Sequence, residues 1–176
     1  MWSLPDEWLA TRQTVGTFRD PWSWYLSFYS HLKRENHTAD LAAYGGGKLD
    51  FESFLYGATH GRGPHRMCGL VYLPYANGKH FADSGLGLCS WMHRHFYAER
   101  FPSTGYDVRW LVDVKIRTDR LTDELGALLG GDASQWPPRN VARNKPPIET
   151  AYTLDSSVWV ALADREYIAE FGWEAP

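Results

Sequence analysis

At one point between residues 14 and 34 the chain changes its hydrophobic period. Thr14-Val15-Gly16-Thr17-Phe18 is a short β-like run. After Arg19 it gives way to Asp20-Pro21 and an aromatic-rich stretch, Trp22 to Tyr29. Trp24, Leu26-Ser27-Phe28, His31 and Leu32 recur at near-helical intervals, so residues 21 to 34 are expected to be a helix. Asp-Pro suits its start, with Asp20 as N-cap and Pro21 at the first helical position, where a missing N–H loses no bond. A strand that feeds straight into a helix points to a fold in which helices pack on a sheet. The same junction puts Arg19 at a strand's end and Ser27 inside the following helix. Two readings fit this pair. One is a turn that starts a helix and nothing more. The other is a phosphate site: the guanidinium offers a planar fork of donors, the hydroxyl adds one more, and the helix N-terminus supplies a favourable field.

The rest of the chain extends this pattern. Residues 5 to 12 are expected to form a short helix begun at Leu4-Pro5-Asp6-Glu7, with acids in its first turn. Gly45-Gly46-Gly47 breaks the chain. Asp50 then caps a helix over 51 to 57, where Phe51, Phe54 and Leu55 share a face. Residues 60 to 84, rich in Gly, Pro, His and Asn, are expected to be irregular. Residues 86 to 100 pattern as a helix grouping Leu88, Trp91, Met92, His95 and Phe96. Residues 110 to 116 pattern as a strand. A helix from Thr118 or Asp119 to Leu129 stops at Gly130-Gly131. Residues 132 to 150 are expected to be a proline-containing extended loop. A last helix capped by Thr153, with Asp155 in its first turn, reaches about Ala169. The order implies a helix-rich α/β fold with a small parallel sheet, in one domain spanning residues 1–176.

Composition removes several function classes. A length of 176 residues supports a real core, and nine tryptophans favour a folded chain over a disordered one. The net charge of −3, with no lysine-rich run or basic stripe, argues against nucleic acid as a partner. Cys68 and Cys89 admit a disulfide, but two thiols in a reducing cytosol are the expectation. Residues 1 to 7 lack a basic region followed by an apolar one, so no signal peptide is expected. No run approaches the roughly eighteen apolar residues of a membrane span. The expected location is the cytoplasm, without membrane contact.

The motif Arg-Asp-Pro followed by Ser27 after a strand resembles the 3′-phosphate motif of sulfotransferases that use 3′-phosphoadenosine 5′-phosphosulfate (PAPS). Trp110 to Leu125 resembles that family's late strand and helix, often written "D-x-(I/V)-(L/I)-R-x-E-x-L-x-x-D-L": Asp113, Arg117, Leu121 and Leu125 match, and Asp119 replaces the usual Glu. Asn140-Val141-Ala142, and the tail from Tyr152 through Val160 and Asp164 to Phe171-Gly172-Trp173, resemble the closing pattern "N-x-S … V … D … F-G-Y". Residues 36 to 105 align only loosely. The resemblance implies a partial P-loop-like sulfotransferase fold in which Arg19 and Ser27 grip the 3′-phosphate of PAPS or of its product, 3′,5′-ADP. Arg143 and Lys145, in the densest late basic cluster with Arg139, fall where some members hold the same phosphate. They do so without the usual "R-K-G" form.

The departures are as informative. The family's 5′-phosphosulfate loop, of the type "P-K-S-G-T-T" or "R-S-G-S-T", lies well upstream of its Arg, and the usual His or Glu base lies in that same part. Nothing in residues 1 to 18 resembles that loop. The expectation is a chain truncated relative to the family, half of a split enzyme, or a binding protein on a decayed scaffold. The sequence assigns no catalytic base. A second copy or a separate chain covering the open sheet is the expected partner, because an uncovered edge invites pairing.

Other candidates carry less. Gly45-Gly-Gly-Lys48 fails as a Walker loop, since Leu49 stands where Ser or Thr should and Ala42 where the first Gly should. His60, Arg62, His65 and Arg66 in a glycine-rich loop fit either an acceptor or anion site or a solvated loop. No metal is expected: His93 and His95 are two apart and point to different helix faces, and neither cysteine has a CxxC partner. No Gly-x-Ser-x-Gly elbow occurs.

Overall fold

The strand-to-helix switch forms where the hydrophobic period changes: β1 spans Val15–Phe18 and α1 spans Pro21–Arg34. The structure, a computed structural model, describes residues 13–63, 81, 84–97, 110–131 and 146–176. The expected helix over 5 to 12 and most of the expected loops lie outside these residues. The chain divides into two units, one of Met1–Arg19 with His93–Pro137 and the other of Asp20–Met92 with Pro138–Pro176.

In the first unit β1 pairs in parallel with β2 (Val114–Arg117), in register from Val15 opposite Val114 to Phe18 opposite Arg117. Together they make a two-stranded sheet. Thr14 staples its entrance. Its N–H and hydroxyl donate to the Asp113 carboxylate at 2.7 and 2.8 Å, and its carbonyl accepts from the N–H groups of Asp113 and Val114 at 3.0 and 3.1 Å. The expected strand over 110 to 116 therefore starts later: the Leu111 N–H donates to the Tyr97 carbonyl, not to the ladder. Phe18 and Ile116 are buried. Phe18 stacks on His93 at 5.7 Å between ring centres and meets Trp110 edge-on at 5.1 Å. Beyond β2 a 3₁₀ turn, Thr118–Arg120, leads into α5 (Leu121–Leu129), which Gly130 closes in the left-handed region at φ 66°. That conformation suits glycine because it has no Cβ to clash.

The second unit is built from helices. Asp20 caps α1, accepting from the Ser23 N–H at 2.7 Å, and Asp50 caps α3 (Phe51–Thr59), accepting from the Ser53 N–H at 2.8 Å. Between them lies α2 (Thr38–Gly45), which sequence pattern did not reveal, because only Leu41 and Tyr44 supply its buried face. α2 and α3 meet backbone to backbone at Gly57: a Cβ there would stand 2.6 Å from the Tyr44 carbonyl carbon and closer still to its oxygen. Trp24, Phe28, Tyr29, Tyr44, Phe51 and Phe54 form one aromatic core across α1, α2 and α3.

α4 covers Leu88–Tyr97, of which residues to Met92 belong to this unit. A short helix, α6 (Ile148–Ala151), forms inside the segment expected to be extended. α7 (Leu154–Ala163) opens with a capping box between Thr153 and Ser156. α8 (Arg165–Phe171) ends at Gly172. The Trp22 indole donates to the Ser157 hydroxyl at 3.0 Å, and the Tyr152 hydroxyl donates to the Trp22 carbonyl at 2.6 Å, tying α1 to the α6–α7 segment. Helix dominates the described residues, in keeping with a helix-rich α/β chain that has a small parallel sheet.

Candidate functional site

Arg19 follows the last residue of β1 and is half-buried. It thus stands at the carboxyl end of the parallel pair, the end at which open α/β sheets collect ligands. The register puts Arg117 opposite Phe18 at the same end. Arg117 grips Asp119 with two donors, Nε at 3.1 Å and a terminal nitrogen at 2.8 Å, and its backbone N–H donates to Glu124 at 3.1 Å. The guanidinium holds the Asp119 carboxyl below its ordinary range. Asp113 is also held low, by the N–H and hydroxyl of Thr14. Two of the residues that carry the family resemblance therefore have structural duties here: Asp113 fastens the strand pair, and Arg117 fixes the turn into α5.

Ser27 lies in the second turn of α1 and is half-buried. It belongs to the second unit, whereas Arg19 closes a segment of the first. Its neighbours on the helix are occupied. The Ser23 hydroxyl donates to the Asp20 carboxylate, and the Ser30 hydroxyl donates to the Leu26 carbonyl at 2.7 Å. Among the described residues nothing pairs with the Ser27 hydroxyl. The amino end of α1 already holds an anion, because Asp20 takes both the Ser23 N–H and hydroxyl. A phosphate would compete with that carboxylate for the helix field, so the helix end contributes little and the guanidinium must carry the charge.

Arg143 and Lys145 lie outside the described residues, as do Arg139, His65, Arg66 and Cys68. Gly45 to Gly47 end α2: Gly46, at φ 60°, returns its N–H to the Ala42 carbonyl, and Gly47 does the same at 2.8 Å. This is a helix stop with its N–H groups already used. His60 and Arg62 are exposed. The His60 ring stacks on Tyr56 at 4.1 Å, and its Nδ1 lies 2.8 Å from the Tyr56 carbonyl oxygen and 3.0 Å from the Thr59 hydroxyl. The Arg62 guanidinium lies 5.2 Å from the centre of the Tyr56 ring. His93 is buried and Cys89 is a buried thiol. Among the described residues no group of three or more His, Cys, Asp or Glu side chains is placed to hold a metal.

Asp164, in the second unit, holds several buried partners, and in the sequence it was only one letter of the tail pattern. It is 1% exposed and sits between α7 and α8. One carboxylate oxygen accepts from the Tyr25 hydroxyl at 2.8 Å. The other accepts from the Ser90 N–H at 2.8 Å and the Ser90 hydroxyl at 2.5 Å. The Tyr25 hydroxyl in turn accepts from the Cys89 N–H at 3.2 Å. The Gly87 carbonyl accepts the first intrahelical bond of α4, from the Trp91 N–H at 2.9 Å, so Gly87 is the N-cap position. Gly87 has no side chain to cap with, and Asp164 reaches the N–H of Ser90 in its stead. Burial, with Asp164 and Cys89 beside it, pushes the Tyr25 hydroxyl well above its ordinary pKa. The arrangement is a buried cap that ties α1, α4 and the α7–α8 junction together. The sequence does carry a signal for it: a helix entered through glycine, and an aspartate that directly ends the apolar run 158–163.

Fold and site together define a helix-rich α/β protein with a two-stranded parallel sheet whose carboxyl end bears arginines. No family model, no curated protein and no solved structure matches the chain. Among the described residues no helix is long and apolar enough to cross a membrane.

Proposed function

We propose that the chain is a sulfotransferase-like domain carrying the 3′-phosphate half of a PAPS site, with Arg19 and Ser27 as the anchoring pair and Arg143 and Lys145 as further phosphate contacts. One observation supports this above the others: a parallel strand ends directly at Arg19, and the helix that follows presents, at the motif's spacing, a serine hydroxyl with no partner among the described residues. Guanidinium–phosphate bonds are charge-assisted and stronger than neutral ones. In a complete enzyme the sulfuryl group passes in line from PAPS to an acceptor hydroxyl or amine. The sulfur–oxygen bond to the donor breaks as the new one forms, 3′,5′-ADP leaves, and a base takes the acceptor's proton. Arg19 and Ser27 would orient the donor and take no proton. The base and the 5′-phosphosulfate loop are unassigned in this chain. On this reading a second copy or a partner chain covering the sheet would complete the site, with the cytoplasm as the expected setting.

A second reading, a non-catalytic binding protein on the same scaffold, is favoured by the Asp20 carboxylate at the head of α1, which opposes a phosphate there. Calorimetric titration with 3′,5′-ADP separates the two. The expected result is micromolar binding by the native chain, weakened about tenfold to a hundredfold in Arg19→Ala. That range corresponds to the loss of one charge-assisted hydrogen bond. Equal affinity in native chain and variant refutes the assignment of Arg19. No binding by the native chain removes the donor half-site and leaves the binding-protein reading.

A further inference from the structure

α7 carries an apolar stripe that its own unit leaves in solvent. Leu154 is 83% exposed, Leu162 65% and Val158 45%. The three are four residues apart and so share a helix face, turned away from the buried Ser156 and Val160. Beside the stripe runs a groove of about 360 Å³, walled by Ile148, Glu149, Tyr152, Leu154 and Val158 among others. Three large aliphatic side chains in one exposed row are more than the scattered apolar residues every surface shows, and such rows mark docking sites.

Charge indicates what docks there. Glu149 lines the groove, Asp155 flanks the stripe one residue beyond Leu154, and no Lys or Arg lines the groove among the described residues. Besides the buried Asp164, residues 146–176 hold Glu149, Asp155, Glu166, Glu170 and Glu174 against a single base, Arg165. This argues against a second copy as the occupant. A two-fold pairing sets the same patch against itself, so Glu149 and Asp155 would meet their own counterparts, and like charges across an interface are unfavourable.

We infer that the α7 stripe and its groove dock a basic amphipathic helix of a partner protein. The partner's aliphatic face would cover Leu154, Val158 and Leu162, and its Lys or Arg residues would lie over Glu149 and Asp155. This inference does not depend on the donor half-site.

The test uses the full chain and two labelled peptides of about fourteen residues, roughly four helical turns. One is amphipathic with Leu and Lys faces, and the other has the same composition in scrambled order. Fluorescence anisotropy reads binding, and sedimentation velocity reads self-association. The amphipathic peptide is expected to bind more tightly than the scrambled one. Leu154→Gln with Leu162→Gln is expected to weaken it at least tenfold, the scale of one interface hot spot. Glu149→Gln with Asp155→Asn is expected to weaken it severalfold and to flatten its salt dependence. The substituted leucines are exposed, so the variant's urea midpoint should stay within error of the native one. Three results overturn the inference: no binding of the amphipathic peptide, equal binding of the native chain and the leucine variant, or a homodimer that the leucine variant dissolves.

Discussion

Replacing Gly87 by alanine tests the account of Asp164 directly. A Cβ at position 87 would stand 2.6 Å from one Asp164 carboxylate oxygen and nearer still to the carboxyl carbon and the other oxygen. Ordinary contact needs about 3.5 Å, so the carboxylate must retreat by about an ångström. It has nowhere to go without breaking bonds, since Tyr25 and Ser90 hold its two oxygens at 2.5 to 2.8 Å. A hydrogen bond to a charged group contributes about 1.5–3 kcal/mol, and overpacking a core costs about 1–3 kcal/mol. Loss of one such bond with partial relaxation puts Gly87→Ala at about 3–5 kcal/mol, a large part of a typical domain's stability of about 5–15 kcal/mol. Urea unfolding followed by tryptophan fluorescence measures it. The decisive comparison is a double-mutant cycle with Asp164→Ala. That change alone costs several kcal/mol, because the buried Tyr25 and Ser90 donors lose their acceptor. It also removes the atoms that the new methyl meets. In that background Gly87→Ala should cost no more than about 1 kcal/mol, the ordinary effect at a helix N-cap. A coupling of about 2 kcal/mol or more is expected. Two changes that simply add within about 0.5 kcal/mol would refute the proposed contact.

Two further outcomes follow from the packing and the charges. Gly57→Ala sets a methyl against the Tyr44 backbone carbonyl, which no side-chain rotation can relieve. It should cost at least about 3 kcal/mol in urea unfolding, and a loss under about 1 kcal/mol would mean that α2 and α3 do not meet there. Asp113 has its carboxyl held low in the folded chain by Thr14, against an unfolded value of about 3.9. A depressed folded value contributes stability that is complete above the unfolded value and lost as pH falls through the folded one. The Tm gap between the native chain and Asp113→Asn should therefore be constant near neutrality and close below about pH 4. A gap that persists at about pH 2 contradicts the staple.

Arg19 and Ser27 stand out as candidates in the sequence because a short motif and a local change of period mark them. The same sequence offered Asp20 as the cap of α1, and the placed side chain shows the consequence: its carboxylate takes the Ser23 N–H and hydroxyl, so a phosphate at the head of the helix would compete with it. The sequence did not show which of the matched letters hold the fold. Asp113 and Arg117 match the family pattern, yet their bonds run to Thr14, Asp119 and Glu124.

What the sequence determined by itself was set within a few residues. It set the strand that stops before Arg19, the helix that Asp20 and Pro21 begin, the caps at Asp50 and Thr153, and the stop at Gly130. Each depends on a side chain bonding to backbone one turn away, or on a backbone angle only glycine takes readily, and so leaves a short-range signature. Tertiary structure decided the rest. α2 has too few apolar residues for a visible period and is a helix because Tyr44 and Leu41 find a core, with Gly57 opposite. The last helix, continuous by pattern, breaks at Asp164 because its carboxylate is required 74 residues away in sequence, at the start of α4. A buried charge needs partners wherever the fold can supply them, and no local window of sequence shows where those partners are.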